Sequence, residues 1–250
     1  MKYQKVKAYS LQVNLKLGNI EENLKKIRSY IENVSDNSLL VLPEMFSSGF
    51  DNENLAFHSK KTPQILRELK EVSRKRNLTV IGTLPENIKG KIFNRAFVID
   101  NGEVIYKQSK IKLFKPTGED KYFSAGRKLK VIKTSKGKIG ILICFELRFP
   151  ELAYKLRKEG VEIIVVSAQW GKARKKHFEI LSKGRAIEEQ AFLISSDTTG
   201  RIGDIEMAGS SGIYSPWGET LDFADEEEKL LSAELDIKEV YVVRRAIKMY

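Results

Sequence analysis

The chain has one cysteine, Cys144, and two histidines, His58 and His177. A single cysteine excludes an intrachain disulfide and a cysteine-built zinc site, and leaves a nucleophile or a small buried hydrophobe as its readings. Cys144 ends the apolar run Ile139 to Ile143 and precedes a helix predicted from Pro150 to Glu159, so its thiol falls where a strand meets a helical turn. Nucleophile elbows use that placement. A helix N-terminus and a nearby ammonium would both favour the thiolate, which attacks carbonyls far better than the thiol. With so few histidines, a thiol hydrolase here needs a carboxylate or a lysine as its base. Glu44 follows Leu39 to Pro43, at the carboxyl end of a predicted core strand, where α/β sheets place ligand-binding groups. A carboxylate against an apolar wall gains proton affinity by desolvation and can serve as general base or acid near neutrality. An ordinary loop glutamate fits the same pattern, and Lys110 by itself is one cation in a basic chain.

The elements that must position these residues read as a layered α/β domain. Residues 3–14 alternate as a strand, residues 19–33 carry Ile20, Leu24, Ile27 and Ile31 at helical spacing, and 38–42 form a short apolar run ending at Pro43. A second helix is predicted over 62–76, with Thr62 as N-cap and Pro63 in its first turn, followed by a strand over 78–84. Asp100-Asn101-Gly102 and Ser135-Lys136-Gly137 each separate two strand-like runs as hairpin turns, which mixes antiparallel pairing into the sheet. VEIIVVSA (161–168) reads as a buried strand, a long helix over 173–189 follows, and the acidic run Asp225 to Glu228 reads as a solvated loop.

Three stretches, in order, resemble the three motif regions of the nitrilase superfamily. VLPEMFSSGF (Val41 to Phe50) is similar to its glutamate motif, and SKIKLFKPTGEDKYFSAG (Ser109 to Gly126) to its lysine motif with the following acidic residue and Phe-x-x-Gly. ILICFELRFPE (Ile141 to Glu151) is similar to its cysteine motif, and HFEILSKGRAIEEQAFLI (His177 to Ile194) to the helix and strand that follow the active site. The likeness runs from residue 3 to about 236.

The resemblance implies a single carbon–nitrogen hydrolase domain over 1–250, folded as a four-layer α-β-β-α sandwich of the nitrilase type, two of which pack face to face in a homodimer or dimer-based oligomer. It implies Glu44, Lys110 and Cys144 as the catalytic set, with Lys110 rather than Lys112 leading the approach to Leu113-Phe114. Lys112 stands where the family commonly has histidine, and Phe145-Glu146 where Tyr-Asp is more frequent; neither departure removes a catalytic side chain. In the implied mechanism Glu44 takes the thiol proton and Cys144 attacks an amide carbonyl. Lys110 and the backbone N–H of Phe145 stabilise the oxyanion, each such donor contributing about 3–4 kcal/mol. Glu44 then protonates departing ammonia and activates water against the thioester, while Glu119 orients Lys110 or assists that water. No metal or organic cofactor is implied.

LPEMFSSGF is most similar to the omega-amidase branch, whose substrates are dicarboxylic acid monoamides such as 2-oxoglutaramate. An acidic substrate needs a cationic anchor. Arg148 and the run Lys172, Arg174, Lys175, Lys176 beside Trp170 are the candidates. Arg148 reads equally as a structural ion-pair partner, the run as a solvated helix start, and Trp170 as pocket wall or core. A nitrilase, an N-carbamoyl amide hydrolase or a deaminated-glutathione amidase would use the same three catalytic residues. The net charge of +11 keeps a nucleic-acid-binding domain as an alternative of another class, but the basic residues are spread evenly, without an aromatic-interleaved stripe. The expected partner is therefore a small-molecule amide, not nucleic acid. No run reaches the roughly eighteen apolar residues of a membrane span, and the N-terminus lacks a secretory h-region. A cytoplasmic location is expected.

Overall fold

The alternating residues after Gln4 form strand β1 (Lys5–Gln12) in the computed structural model, which describes residues 4–249; Tyr3, where that strand is predicted to begin, lies outside the described residues. Helix α1 (Ile20–Ile31), β2 (Leu39–Val41), α2 (Leu55–Arg76), β3 (Thr79–Ile88), β4 (Lys91–Asp100) and β5 (Glu103–Ser109) complete the first half. The second half runs through the short helix α3 (Glu119–Tyr122), β6 (Ile132–Thr134), β7 (Gly137–Ile143), α4 (Pro150–Lys158), β8 (Ile163–Ser167), α5 (Lys175–Glu188) and β9 (Phe192–Ser196). A small hairpin, β10 (Arg201–Ile202) and β11 (Ile205–Glu206), precedes β12 (Gly212–Tyr214), β13 (Thr220–Phe223), β14 (Lys229–Asp236) and α6 (Lys238–Ala246).

Two six-stranded sheets result, in the orders β14-β1-β2-β3-β4-β5 and β13-β12-β9-β8-β7-β6. In each, three neighbouring strands are parallel (β1, β2, β3 and β7, β8, β9) and the outer pairings are antiparallel, as the hairpin signals required. Leu24 and Ile27 of α1 and Ile65 and Leu69 of α2 pack with Leu11, Leu40 and Val80 on one face of the first sheet. Its opposite face, with Ala8, Leu39, Val41 and Ile81, joins the second sheet in one apolar cluster that also takes in Leu156 of α4 and Phe178 of α5. The architecture is the expected α-β-β-α sandwich.

Serine hydroxyls stitch the two sheets together. Ser10 Oγ donates to Ser195 O at 2.7 Å, Ser196 Oγ to Leu11 O at 2.6 Å, and Ser167 Oγ to Leu42 O at 2.9 Å. The last bond ties the end of β2 to the end of β8, and Glu44 N–H donates to Ala168 O at 3.2 Å just beyond. Carboxyl-terminal strand ends from both sheets therefore meet at one place. Gly82 permits the chain after β2 to fold back there, since a Cβ on it would lie 2.8 Å from Leu42 Cβ and 2.9 Å from Phe46 Cδ1.

Two expectations are corrected. Helix α2 starts at Leu55 rather than at residue 62, with Pro63 in its interior. Leu55 and His58 are buried, and His58 Nε2 pairs with Asp51 Oδ2 at 2.7 Å, so tertiary contacts outweigh the one hydrogen bond that Pro63 removes. Thr62 is not a cap; its hydroxyl donates to Pro85 O at 2.5 Å. Strand β3 runs on past Leu84 through Pro85, because β2 pairs with β3 only as far as Val41 and Ile81. The proline's missing donor thus faces a side with no strand. The run Asp225 to Glu228 is an exposed loop, as expected, and is tied down by ion pairs: Asp225 and Glu226 pair with Lys175, Glu226 also with Lys172, and Glu228 with Lys26. Among the described residues, no helix is long and apolar enough to cross a membrane.

Candidate active site

Glu44 lies just after β2, Lys110 just after β5, Glu119 opens α3 and Cys144 just follows β7. All four are buried where the strand ends meet. Lys110 Nζ donates to Glu44 Oε1 at 2.8 Å and to both Glu119 oxygens at 2.9 Å. Asn94, buried on β4, donates through Nδ2 to Glu44 Oε1 at 2.6 Å and Glu119 Oε1 at 3.2 Å. The other Glu44 oxygen accepts the Gln169 backbone N–H at 3.1 Å, and Phe114 N–H donates to Glu119 Oε2 at 2.6 Å. Cys144 Sγ lies 3.7 Å from the Gln169 carbonyl oxygen that accepts from it.

The backbone at these positions is unusual. Met45, directly after Glu44, and Cys144 itself both take φ of +47°, a conformation that a side chain adopts only at a cost of about 1–3 kcal/mol. Packing of the strand ends holds the elbow in that state. Lys110 is braced by Gly126, whose N–H donates to Lys110 O at 2.7 Å. A Cβ on Gly126 would lie 2.3 Å from Ser109 O, which explains the glycine that closes the Phe-x-x-Gly segment.

Burial penalises the Lys110 ammonium, but the charges of Glu44, Glu119 and Cys144 outweigh that penalty and hold its pKa above the usual lysine range. Lysine therefore stays charged. Glu44 is pushed up by burial and by Glu119's charge, against the pull of Lys110 and Asn94. Two carboxylates share one ammonium, so one of them takes a proton readily. Burial also pushes the Cys144 thiol well up, helped by Glu44's charge and opposed by Lys110. The ammonium does favour the thiolate, as expected, but desolvation outweighs it, which fits a thiol that must hand its proton to a base.

Glu146 welds the two loops together. Its Oε2 accepts Ile143 N–H at 2.8 Å and its Oε1 accepts Ile111 N–H at 2.5 Å and Lys112 N–H at 3.4 Å, joining the cysteine elbow to the residues after Lys110. Burial lifts its pKa to about 7 despite those N–H groups. The native state then binds more protons than the unfolded chain between the ordinary glutamate range and pH 7, so this group's contribution to stability falls as pH rises through that window. Glu146→Gln removes that slope and sets an amide NH2 against a backbone N–H, at a cost of about 1–3 kcal/mol. Urea midpoints measured from pH 5 to pH 8 check both effects; a variant as stable as the wild type at every pH rules out the weld.

Glu44, Lys110, Glu119 and Cys144 all line a cavity of about 300 Å³, walled by apolar side chains including Phe50, Phe114 and Ile205. A smaller adjoining cavity of about 30 Å³ lies against Cys144, Phe145, Arg148 and Trp170. Trp170 is both core and wall: it packs on Phe178 with ring centroids 5.2 Å apart, and its Nε1 donates to Arg174 O at 2.9 Å. Among the described residues Arg148 has no ion-pair partner; its guanidinium lies 4.6 Å from the Trp170 ring centroid, and Nη2 stands 3.1 Å from His177 Nδ1. Of the basic run, Lys172, Lys175 and Lys176 pair with carboxylates, and Arg174 alone lines the cavities.

Asn94, Gln169 and Asp197 went unread in the sequence. Asp197, lifted well above the carboxylate range by burial, accepts Trp170 N–H at 2.8 Å and so holds the Gln169 peptide against Glu44. A signal existed for Asn94, a polar residue on the same strand face as buried Ala96 and Val98.

The family model for carbon-nitrogen hydrolases matches residues 7–245. The chain is 32% identical over 244 residues to the 2-oxoglutaramate amidase of Bacillus subtilis (strain 168), covering 96% of this chain and 94% of that protein. It is 28% identical over 240 residues to Omega-amidase NIT2 of Xenopus tropicalis, covering 90% of this chain and 87% of that one. The crystal structure of Saccharomyces cerevisiae Nit3, a member of branch 10 of the nitrilase superfamily, superposes with a TM-score of 0.90 at 26% identity, covering 98% of this chain and 95% of that chain. Fold, cavity and sequence agree that this chain belongs to the carbon-nitrogen hydrolase family.

Proposed function

We propose that the protein is an omega-amidase-like enzyme, in which Cys144 is the nucleophile, Glu44 the general base and acid, and Lys110 the cation that meets the oxyanion. The observation that carries this reading is the Lys110 ammonium, clasped between two buried carboxylates in the wall of the cavity that holds the chain's one thiol. The names of the Bacillus and Xenopus relatives support the choice of a dicarboxylic acid monoamide, 2-oxoglutaramate foremost.

A thiol whose pKa is raised by burial needs a base, and Glu44, itself raised, matches it. The Cys144 proton passes to Glu44 as sulfur adds to the amide carbon. The oxyanion takes an N–H from Lys110, freed from its double contact with Glu119, and the backbone N–H of Phe145 in the turn after the elbow. Glu44 returns the proton to nitrogen, the C–N bond breaks, and ammonia leaves an acyl-thioester. Water then gives a proton to Glu44 as its oxygen adds, and collapse of that adduct releases the acid and re-forms the thiol. Glu119 accepts two of the three lysine contacts, which supports an orienting role. A buried thiol that must stay reduced suits the cytoplasm. Homodimer formation is part of the proposal: Ile180 and Ile187 of α5 and nearby Trp217 are exposed, as a paired face requires.

Ammonia release from 2-oxoglutaramate, succinamate, glutamine, N-carbamoyl amino acids and simple nitriles tests the substrate. Monoamide turnover is expected to exceed the rest. Efficient benzonitrile hydrolysis without amide hydrolysis would instead make the protein a nitrilase.

A further inference from the structure

Arg148 and Arg174 stand out from the other cations around the cavity. Their neighbours are neutralised, Lys172 and Lys175 by Glu226 and Lys176 by Glu179, yet neither arginine has a carboxylate within 4.0 Å among the described residues. Both guanidiniums rest on aromatic faces instead, Arg148 at 4.6 Å from the Trp170 centroid and Arg174 at 5.3 Å from the Phe114 centroid. Stacking fixes the plane of a guanidinium and leaves N–H groups at its edge for a planar anion, although on Arg148 one of them, Nη2, already stands 3.1 Å from His177 Nδ1. Trp170 Nε1, bonded to Arg174 O at 2.9 Å, ties the ring under Arg148 to the backbone of Arg174. The two charges also feel each other: Arg148 is held below the ordinary guanidinium range by its burial and by the charge of Arg174. Two like charges left together without a counter-ion gain most from an anion that bridges them. Both arginines line the small cavity with Cys144, and Arg174 also lines the large one with Lys110 and Glu44.

We propose that Arg148 and Arg174 form a paired guanidinium site for the carboxylate at the far end of the substrate, and that this pair, rather than Lys172, Lys175 or Lys176, selects ω-amides of short dicarboxylic acids over neutral amides. The inference rests on the monoamide reading above and gives it its residues. The acyl chain must be short, because amide and carboxylate have to reach Cys144 and the arginines around one cavity of about 300 Å³.

The test compares kcat/KM for succinamate with kcat/KM for pentanamide, a neutral amide of similar length, in wild type, Arg174→Met, Arg148→Met and Arg174→Lys. Each methionine variant is expected to lower the succinamate-to-pentanamide ratio by about 10- to 100-fold, mainly through KM, with lysine at 174 retaining part of the preference. The Ki of succinate as inhibitor should rise by a similar factor in each methionine variant, a readout that a loss of folded enzyme does not move. A wild-type preference for succinamate that survives both methionine substitutions overturns the arginine site and leaves the monoamide reading standing. Absence of that preference in the wild type overturns both.

Discussion

Cys144→Ala is expected to lower ammonia release by about 10⁴-fold or more while leaving the thermal midpoint close to that of the wild type. The loss follows from the site's composition. The cavity holds Glu44 and Glu119, which are committed to Lys110, and no second thiol exists anywhere in the chain. Stability is spared because Sγ makes only a long contact of 3.7 Å to Gln169 O, and alanine tolerates φ of +47° no worse than cysteine does. Parallel ammonia assays and thermal melts decide it: residual activity within tenfold of the wild type would remove Cys144 from the role of nucleophile. Glu44, as the proposed acceptor of the thiol proton, should also set the acid limb of the pH–rate profile. A profile without that limb would point to another base.

Lys110→Met is the second change with a large expected effect, and it acts on activity and stability together. Turnover should fall by about 10³-fold through loss of the cation proposed to meet the oxyanion. The fold should also lose about 3–5 kcal/mol, because Glu44 and Glu119 are left buried without their counter-charge. The sign with pH follows from linkage. Without the ammonium that lowers it, Glu44 is held still further above its unfolded range by burial, so the native variant binds an extra proton, and its deficit against wild type is widest at pH 8 and narrows toward pH 5. Adding Glu119→Gln to Lys110→Met should restore much of the stability and none of the activity. Urea midpoints and ammonia release measured on both proteins separate the two roles; a single variant as stable as wild type at pH 8 would show that the two carboxylates do not depend on Lys110.

Local chemistry made a large part of this protein legible from sequence alone. Asn101 and Gly102 sit in a two-residue turn with φ of +49° and +85°, the conformation that Asn-Gly favours, and β4 and β5 pair around it as expected. The apolar runs before Glu44 and Cys144 became buried strands with both residues just past their carboxyl ends, and Lys110 lies within 2.8 Å of Glu44. Short-range sterics and periodicity act within a few residues, so such features survive without knowledge of the rest of the chain.

What tertiary structure alone decided is how distant groups share charge and space. Helix α2 gained its first turns from the burial of Leu55 and His58, against the local signal of Pro63. Which of the clustered cations stayed unpaired depended on Asp225 and Glu226 arriving from the far side of the chain. Asn94 and Gln169 entered the site through strand pairing and a strap between sheets, neither of which a single segment encodes. The protonation state of Cys144 also waited on the fold, because desolvation depends on everything packed around the sulfur, and here it outweighs the ammonium and leaves a thiol.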